Sequence, residues 1–346
     1  MGVRRHRATF ECPWEPPGTS NAFGSPRPDP RTSFDPGEPA MAQDLELPDY
    51  APLLAAYHAA FAVELEGMVR SLPIPEGAQV LEMACGDGAY TPWLARKVGP
   101  AGSVVGLDLS PAYLALADRA PRSDGTAESR YVAASIDRLP FADATFDAVW
   151  CAQSLFSLPE PVDAVRRMAG VVKPGGLVAV LEDDTLHQVL LPWPIELELA
   201  VRVAQWDALR AEVPRPGKFY VGRRLITVFR EAGLVGLRIR TFATDRVAPL
   251  APAGREFLAI YLDTLRDQVS SRLDRPMQAL LDDLATPGRP AYLLDQTDFA
   301  ATLIDHVVHG TRPADRSSSI GSSPARSNRP ESPSPSRNCD RPPSQE

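Results

Sequence analysis

The amino-acid sequence predicts an α/β fold built on a doubly wound, parallel sheet. Three observations carry that expectation. Strand and helix signals alternate five times between Val80 and Asp183, and such alternation needs crossover connections that cover both faces of a sheet. The first strand, short and apolar, runs into a glycine-bearing turn, "VLEMACGDGAY" from Val80 to Tyr90. The second strand ends on an acid, Asp108, twenty residues after Gly88.

The elements follow in order. From Leu45 to Leu72 apolar residues recur at helical spacing, with Leu53, Leu54, Tyr57, Phe61 and Leu65 on one face. Val80 to Ala84 reads as a strand, "YTPWLARKV" as a helix and "SVVGLDL" as the second strand. "PAYLALADRA" is a helix that Pro111 opens, because proline fits the first turn, where its missing N–H costs nothing. "SRYVAAS" and "ATFDAVWCAQ" are the third and fourth strands, "EPVDAVRRMAGVV" an amphipathic helix and "GGLVAVLEDD" the fifth strand. The second half is less regular. Leu190 to Glu212 reads as a long helix, and "RRLITVFREAGL" as a shorter one that Gly233 ends. "VGLRIRTFAT" is a strand, residues 254–286 are helical, and "ATLIDHVVHG" is a last strand. No internal repeat is visible.

Composition bounds the rest. The chain has 346 residues, 44% of them apolar, enough for a sizeable core. Residues 1–40 hold eight prolines and few large aliphatics, and the tail from Thr311 is rich in Ser, Pro and Arg. Neither buries enough apolar surface to offset its ordering entropy, so both are expected to be disordered, with a folded domain over 41–310. Met41 is a candidate true start. The formal charge of −8 becomes −10 for the folded part once the balanced N-terminal stretch and the tail, six Arg against four acids, are set aside. That balance opposes a polyanionic partner such as nucleic acid. An arginine cluster at Arg4, Arg5 and Arg7 has no apolar stretch after it, and no run of eighteen apolar residues occurs, so a soluble cytoplasmic protein without a membrane span is expected. Cys12, Cys85, Cys151 and Cys339 contain no CxxC pair, which supports neither a disulfide framework nor a zinc site.

Gly86 and Gly88 sit where a strand hands over to a helix, so the backbone can approach a ligand and unpaired N–H groups can meet an anion. Asp108 is placed to accept hydrogen bonds from a ribose diol. Together these residues indicate an adenosine-containing ligand. A dinucleotide fingerprint requires a further glycine three residues after the second, and that position holds Thr91.

With the later stretches "ASIDRLPFADATFDAVWCAQSL" and "VVKPGGLVAVLEDD", the chain from about Val80 to Asp183 resembles the class I S-adenosylmethionine-dependent methyltransferases, in particular the small-molecule, methyltransferase type 11 branch related to quinone-biosynthesis enzymes. The resemblance implies a Rossmann-like, seven-stranded doubly wound sheet in the order 3-2-1-4-5-7-6, its last strand antiparallel, with helical cap insertions at about 186–222 and 250–295. It implies S-adenosylmethionine as cofactor. Glu82 matches the acid expected near the methionine amino group, with Ala84, Cys85, Gly86 and Gly88 lining the methionine part; the family often has glycine where Ala84 stands. Asp108 matches the ribose-binding acid and Leu109 the apolar residue under the adenine. Ile136 and Asp137 match the pair that packs the adenine and accepts from its amine, and Cys151 to Ser154, Gln153 included, match the loop facing the sulfonium.

Methyl transfer is an in-line displacement that disperses charge, so it needs alignment and no metal; the sequence shows no metal constellation. An oxygen nucleophile needs a general base, and His187, just past the fifth strand, is the candidate. His58 is expected packed or at an edge, and Tyr57 either in the core or reaching the cofactor. Trp193, Trp206, Phe219 and Tyr220 are expected in the cap. The expected function is methylation of a small molecule by a monomer or homodimer. The alternatives are a protein methyltransferase and a non-catalytic cofactor-binding scaffold. "CAQSL" stands where an amino-methylating DNA enzyme carries Asn/Asp-Pro-Pro-aromatic, which speaks against DNA.

Overall fold

The computed structural model describes residues 46–120, 125–212 and 219–314. Five strands run parallel: β1 (Gln79–Met83), β2 (Ser103–Asp108), β3 (Glu128–Ala133), β4 (Phe146–Ala152) and β5 (Val172–Asp183). The later strands are β6 (Val189–Leu190), β7 (Val235–Val247) and β8 (Ala300–Thr311). β8 lies antiparallel to β5, and β7 pairs antiparallel along its other edge. β6 pairs with Leu303 and Thr302 of β8, on the same edge as β5 and beyond its end. Counting only the long strands, the order is the expected 3-2-1-4-5-7-6. The two-residue β6 is an eighth strand among the described residues, where seven were expected. The chain winds from β1 to one side and from β4 to the other. The crevice at the carboxyl ends of these neighbours is therefore the topological switch point, where open α/β sheets bind ligands.

Both faces of the sheet are buried, because successive side chains alternate between two cores. On one face Val80, Trp150 and Leu181 pack with α1 (Ala51–Ala60), α2 (Ala62–Arg70), α3 (Thr91–Val98), α6 (Ile195–Glu212), α8 (Pro252–Val269) and α9 (Arg275–Ala285). On the other, Leu81, Met83, Val149 and Val180 pack with α5 (Pro161–Val171) and α7 (Val221–Glu231). α4 (Pro111–Arg119) starts as expected at Pro111, and the Ser110 side chain caps it by accepting from Tyr113 N–H at 3.3 Å.

Four boundaries differ from expectation, one being the helical stretch expected over 254–286, which is α8 and α9 separated at residues 270–274, where Asp274 caps α9. The N-terminal helix is two helices, broken at Phe61 (φ −120°, ψ 17°). Arg246 stacks on the Phe61 ring at 4.2 Å and donates to the Ala60 carbonyl at 2.7 Å, satisfying a group the break leaves outside the ladder. The helix expected from Leu190 begins at Ile195, because Pro192 and Pro194 cannot donate within a helix and Val189–Leu190 joins the sheet instead. At the C-terminal end, β8 runs through Thr311, and the Arg312 Nη1 donates to the carbonyls of Gly170 and Val172 at 2.8 Å each. The domain thus extends past residue 310. Residues 1–45 and 315–346, which hold the two segments expected to be disordered, lie outside the described residues.

Candidate functional site

After β1 the chain turns through three residues in the left-handed region: Ala84 (φ 53°), Gly86 (φ 54°) and Gly88 (φ 76°). An alanine there bears a Cβ penalty of roughly 1–2 kcal/mol, a physical reason for glycine to be common at this position. Cys85 N–H donates to the Leu107 carbonyl at 2.9 Å, which ties the turn to β2. Asp108 tightens the link. Its Oδ2 accepts from Gly86 N–H and its Oδ1 from Ser110 N–H, both at 2.8 Å. Each oxygen keeps a second lone pair for a ligand.

The two glycines differ in what they face. A Cβ on Gly86 would meet nothing within 4 Å, whereas one on Gly88 would lie 2.9 Å from the Ala117 Cβ of α4 and 3.0 Å from the Tyr131 hydroxyl. Gly86 therefore opens to ligand space, and Gly88 serves the close approach of α4.

A cavity of about 780 Å³ opens at the carboxyl ends of β1, β2 and β4, bounded by α1 and by Phe257 of α8. Glu82, Ala84, Cys85 and Gly86 form one wall, Asp108, Leu109, Ile136 and Asp137 another, and Gln153 a third part. Leu109, an aliphatic side chain beside this opening, is 73% exposed. Gly88 and Cys151, expected among these residues, do not line the cavity. Cys151 follows Trp150, so strand alternation turns its side chain into the opposite core, where it is fully buried. Both described cysteines are free, and burial pushes their thiols well up, which keeps them protonated. Asp137 is mostly exposed and ion-paired with Arg167 at 3.2 Å.

Glu82 is the most perturbed acid of the first wall. It is 2% exposed, accepts from the Thr91 hydroxyl, and burial pushes its carboxyl up to about 8. Among the described residues no cation accompanies it. Indeed, no Lys or Arg stands among the described residues that line the cavity, whereas Glu82, Asp87, Asp108, Asp137 and Asp183 do. This lining repels a pyrophosphate and suits a ligand with an ammonium group and a cationic centre.

Other residues complete the cavity, and the first three of these were not singled out in the sequence. Asp183, Gln188 and Phe257 line it, with Leu53, Leu54, Tyr57 and His58 from α1. Tyr57, expected either in the core or reaching the cofactor, packs in the core at 2% exposure, and its hydroxyl donates to Asp305 Oδ1 at 2.9 Å. Both ring nitrogens of His58 are buried without a hydrogen-bond partner; Asp87 Oδ1 stands 3.7 Å from Nδ1, too far for one. His187 does not line the cavity. Its Nδ1 lies 2.7 Å from Arg223 Nη2, and arginine can only donate, so that nitrogen's lone pair is occupied. Trp193 and Trp206 are also away from the lining; Trp193 belongs to the core, and Trp206 meets Tyr220 at 5.8 Å. Of the missed groups only Asp183 carried a signal, its place in the acidic end of the fifth strand, "LEDD".

A family model described as a methyltransferase domain matches residues 81–180. A 2-phytyl-1,4-naphtoquinone methyltransferase of Thermosynechococcus vestitus is 37% identical over 111 residues, 32% of this chain and 48% of that protein. A demethylmenaquinone methyltransferase of Geobacillus sp. strain WCH70 is 32% identical over 195 residues, covering 51% of this chain and 79% of the relative. Over the first such relatives, the match spans about half of their own length. Among solved structures, the YcgJ protein of Bacillus subtilis has 16% identity and a TM-score of 0.47, covering 73% of this chain and 99% of that one.

Proposed function

Since this chain belongs to the class I S-adenosylmethionine-dependent methyltransferases, we propose that it methylates a small organic acceptor inside the cavity above β1 and β4. The observation that carries the proposal is the lining itself: at Glu82 a buried carboxylate without a cation among the described residues, an open Gly86, and Asp108 at the next strand end.

When bound, S-adenosylmethionine supplies an activated methyl group on a sulfonium centre. Glu82 holds the methionine ammonium, which explains why a carboxylate stays in an otherwise apolar strand. Asp108 receives the ribose hydroxyls while keeping its two backbone donors, and Leu109 and Ile136 cover the adenine, with Asp137 at its edge. Gln153 faces the reacting end. Leu53, Leu54 and Phe257 close the opposite wall and exclude water; the segments 186–222 and 250–295 act as the cap in this reading, although among their described residues only Gln188 and Phe257 line the cavity. Holding acceptor and donor aligned supplies roughly 7–11 kcal/mol of the barrier reduction. The names of the relatives suggest a quinol-like acceptor, and the aromatic and aliphatic walls suit one.

Calorimetry tests the cofactor half. Asp108→Asn is expected to weaken S-adenosylmethionine binding at least tenfold, because one amide proton then meets a backbone N–H. Parent-like affinity would refute the placement. Incubation with labelled cofactor and a metabolite extract tests the acceptor half: label in small molecules supports the proposal, label confined to protein refutes it.

A further inference from the structure

Four carboxylates gather where β5 ends beside β8: Glu182, Asp183, Asp184 and Asp305. Three of them are engaged within the fold, although Glu182 Oε2 stays buried without a hydrogen-bond partner among the described residues. Glu182 Oε1 accepts from the N–H groups of Ser154 and Leu155 at 2.9 and 2.6 Å, Asp184 is paired with Arg223, and Asp305 accepts from Tyr57. Asp183 alone among them has no side-chain hydrogen bond or ion pair with the described residues, and it alone of the four lines the cavity. Its backbone is fixed. A Cβ on Gly222, in the first turn of α7, would stand 2.2 Å from the Asp183 carbonyl oxygen, so α7 packs directly on this strand end.

Building on the proposed methylation, we propose that Asp183 is the catalytic base of the acceptor site, and that the acceptor is an aromatic molecule with an acidic hydroxyl, such as a phenol or hydroquinone. As the acceptor's oxygen or activated ring carbon bonds to the methyl carbon, the carbon–sulfur bond breaks and its electron pair stays on sulfur. The acceptor's proton passes to a carboxylate oxygen of Asp183 and leaves later to water. The absence of Lys and Arg from the described lining disfavours an anionic acceptor, and Leu53, Leu54, Tyr57 and Phe257 offer flat, apolar walls.

The electrostatics agree with a base that works near neutrality. Burial, then Asp305 from β8 and Asp184 from the adjoining loop, push the Asp183 carboxyl up to about 7. Glu182 on the same strand, Tyr57 on α1 and Tyr261 on α8 also face it. The carboxylate is the active form, so turnover rises as pH climbs through that value.

The test follows methyl transfer to 1,4-naphthohydroquinone and to phenethylamine from pH 5 to 9. The parent, Asp183→Asn and His58→Gln are compared, and S-adenosylhomocysteine binding is measured by calorimetry in each. The expected result is a kcat on the hydroquinone that rises through about pH 7 in the parent and falls 100- to 10,000-fold in Asp183→Asn, with KM and S-adenosylhomocysteine affinity within threefold. A raised KM with kcat and its pH profile intact, transfer only to the amine, or loss of the acid limb in His58→Gln alone would each overturn the assignment. A parent that binds S-adenosylhomocysteine but methylates neither acceptor overturns the acceptor class. Failure to bind S-adenosylhomocysteine would instead refute the underlying cofactor reading.

Discussion

Glu82→Gln separates binding from folding. Burial moves the Glu82 carboxyl from an ordinary 4.5 to about 8, with Thr91 opposing the shift and Asp87 and Asp108 adding to it. A carboxyl whose folded value is raised must take up a proton on folding. Its contribution is therefore neutral below about pH 4.5, where both states are protonated, and grows unfavourable until pH passes about 8. At pH 7 the difference of about 2.5 pH units between the ordinary value and the working pH corresponds to about 3 kcal/mol of lost stability. Glutamine keeps the shape and the acceptor for the Thr91 hydroxyl but cannot ionise. The variant should accordingly match the parent in stability near pH 4 and exceed it by about 3 kcal/mol at pH 7, roughly 6–12 °C in Tm for a domain of this size. Thermal melts from pH 4 to 8 without ligand measure this directly. The same variant should lose S-adenosylmethionine affinity, because the ammonium no longer meets a charge. In the parent, binding should release close to one proton at pH 7, seen as a heat that scales with buffer ionisation enthalpy. A stability difference that is flat with pH would show that the carboxyl is not held protonated by burial, and binding without proton release would remove the ammonium from its side.

Two further outcomes follow from the geometry. Gly88→Ala adds a Cβ 2.9 Å from the Ala117 Cβ at a φ of 76°, so a loss of about 1–3 kcal/mol is expected in denaturant melts; parent-like stability would show that α4 yields easily. His187→Ala should leave the pH profile of methyl transfer unchanged, since its ring lies outside the cavity lining and its Nδ1 is held by Arg223; a lost acid limb would restore it as a base.

Much of this site was legible because its residues are local in sequence. The turn from Ala84 to Gly88 and the strand end at Asp108 are set by short continuous apolar runs and by glycines, signals that act over a few residues. The same locality explains the correct sequence order of strand and helix through β5. Where reading failed, the deciding contact was distant. Whether a glycine faces ligand or helix depends on how closely α4 approaches, which made Gly88 a packing residue and left Gly86 open. Cys151 was placed by position in a motif, yet strand alternation and the α5 and α7 core decide which way it points. His187 lies in the expected loop, but Arg223, 36 residues later, occupies its nitrogen.

The sequence by itself thus determined the alternation of strands and helices, the glycine-bearing turn after β1 and the acid at the end of β2, because these rest on spacing along one stretch of chain. Only the tertiary structure decided which carboxylates are free. Glu182, Asp183 and Asp184 are consecutive acids with nothing in the sequence to rank them. Backbone donors from the β4 loop engage one oxygen of Glu182, an arginine on α7 pairs with Asp184 and a tyrosine on α1 donates to Asp305, and of the four only Asp183 faces the cavity. Such a choice depends on hydrogen-bond partners brought from elements far apart in the chain, and no local pattern encodes it.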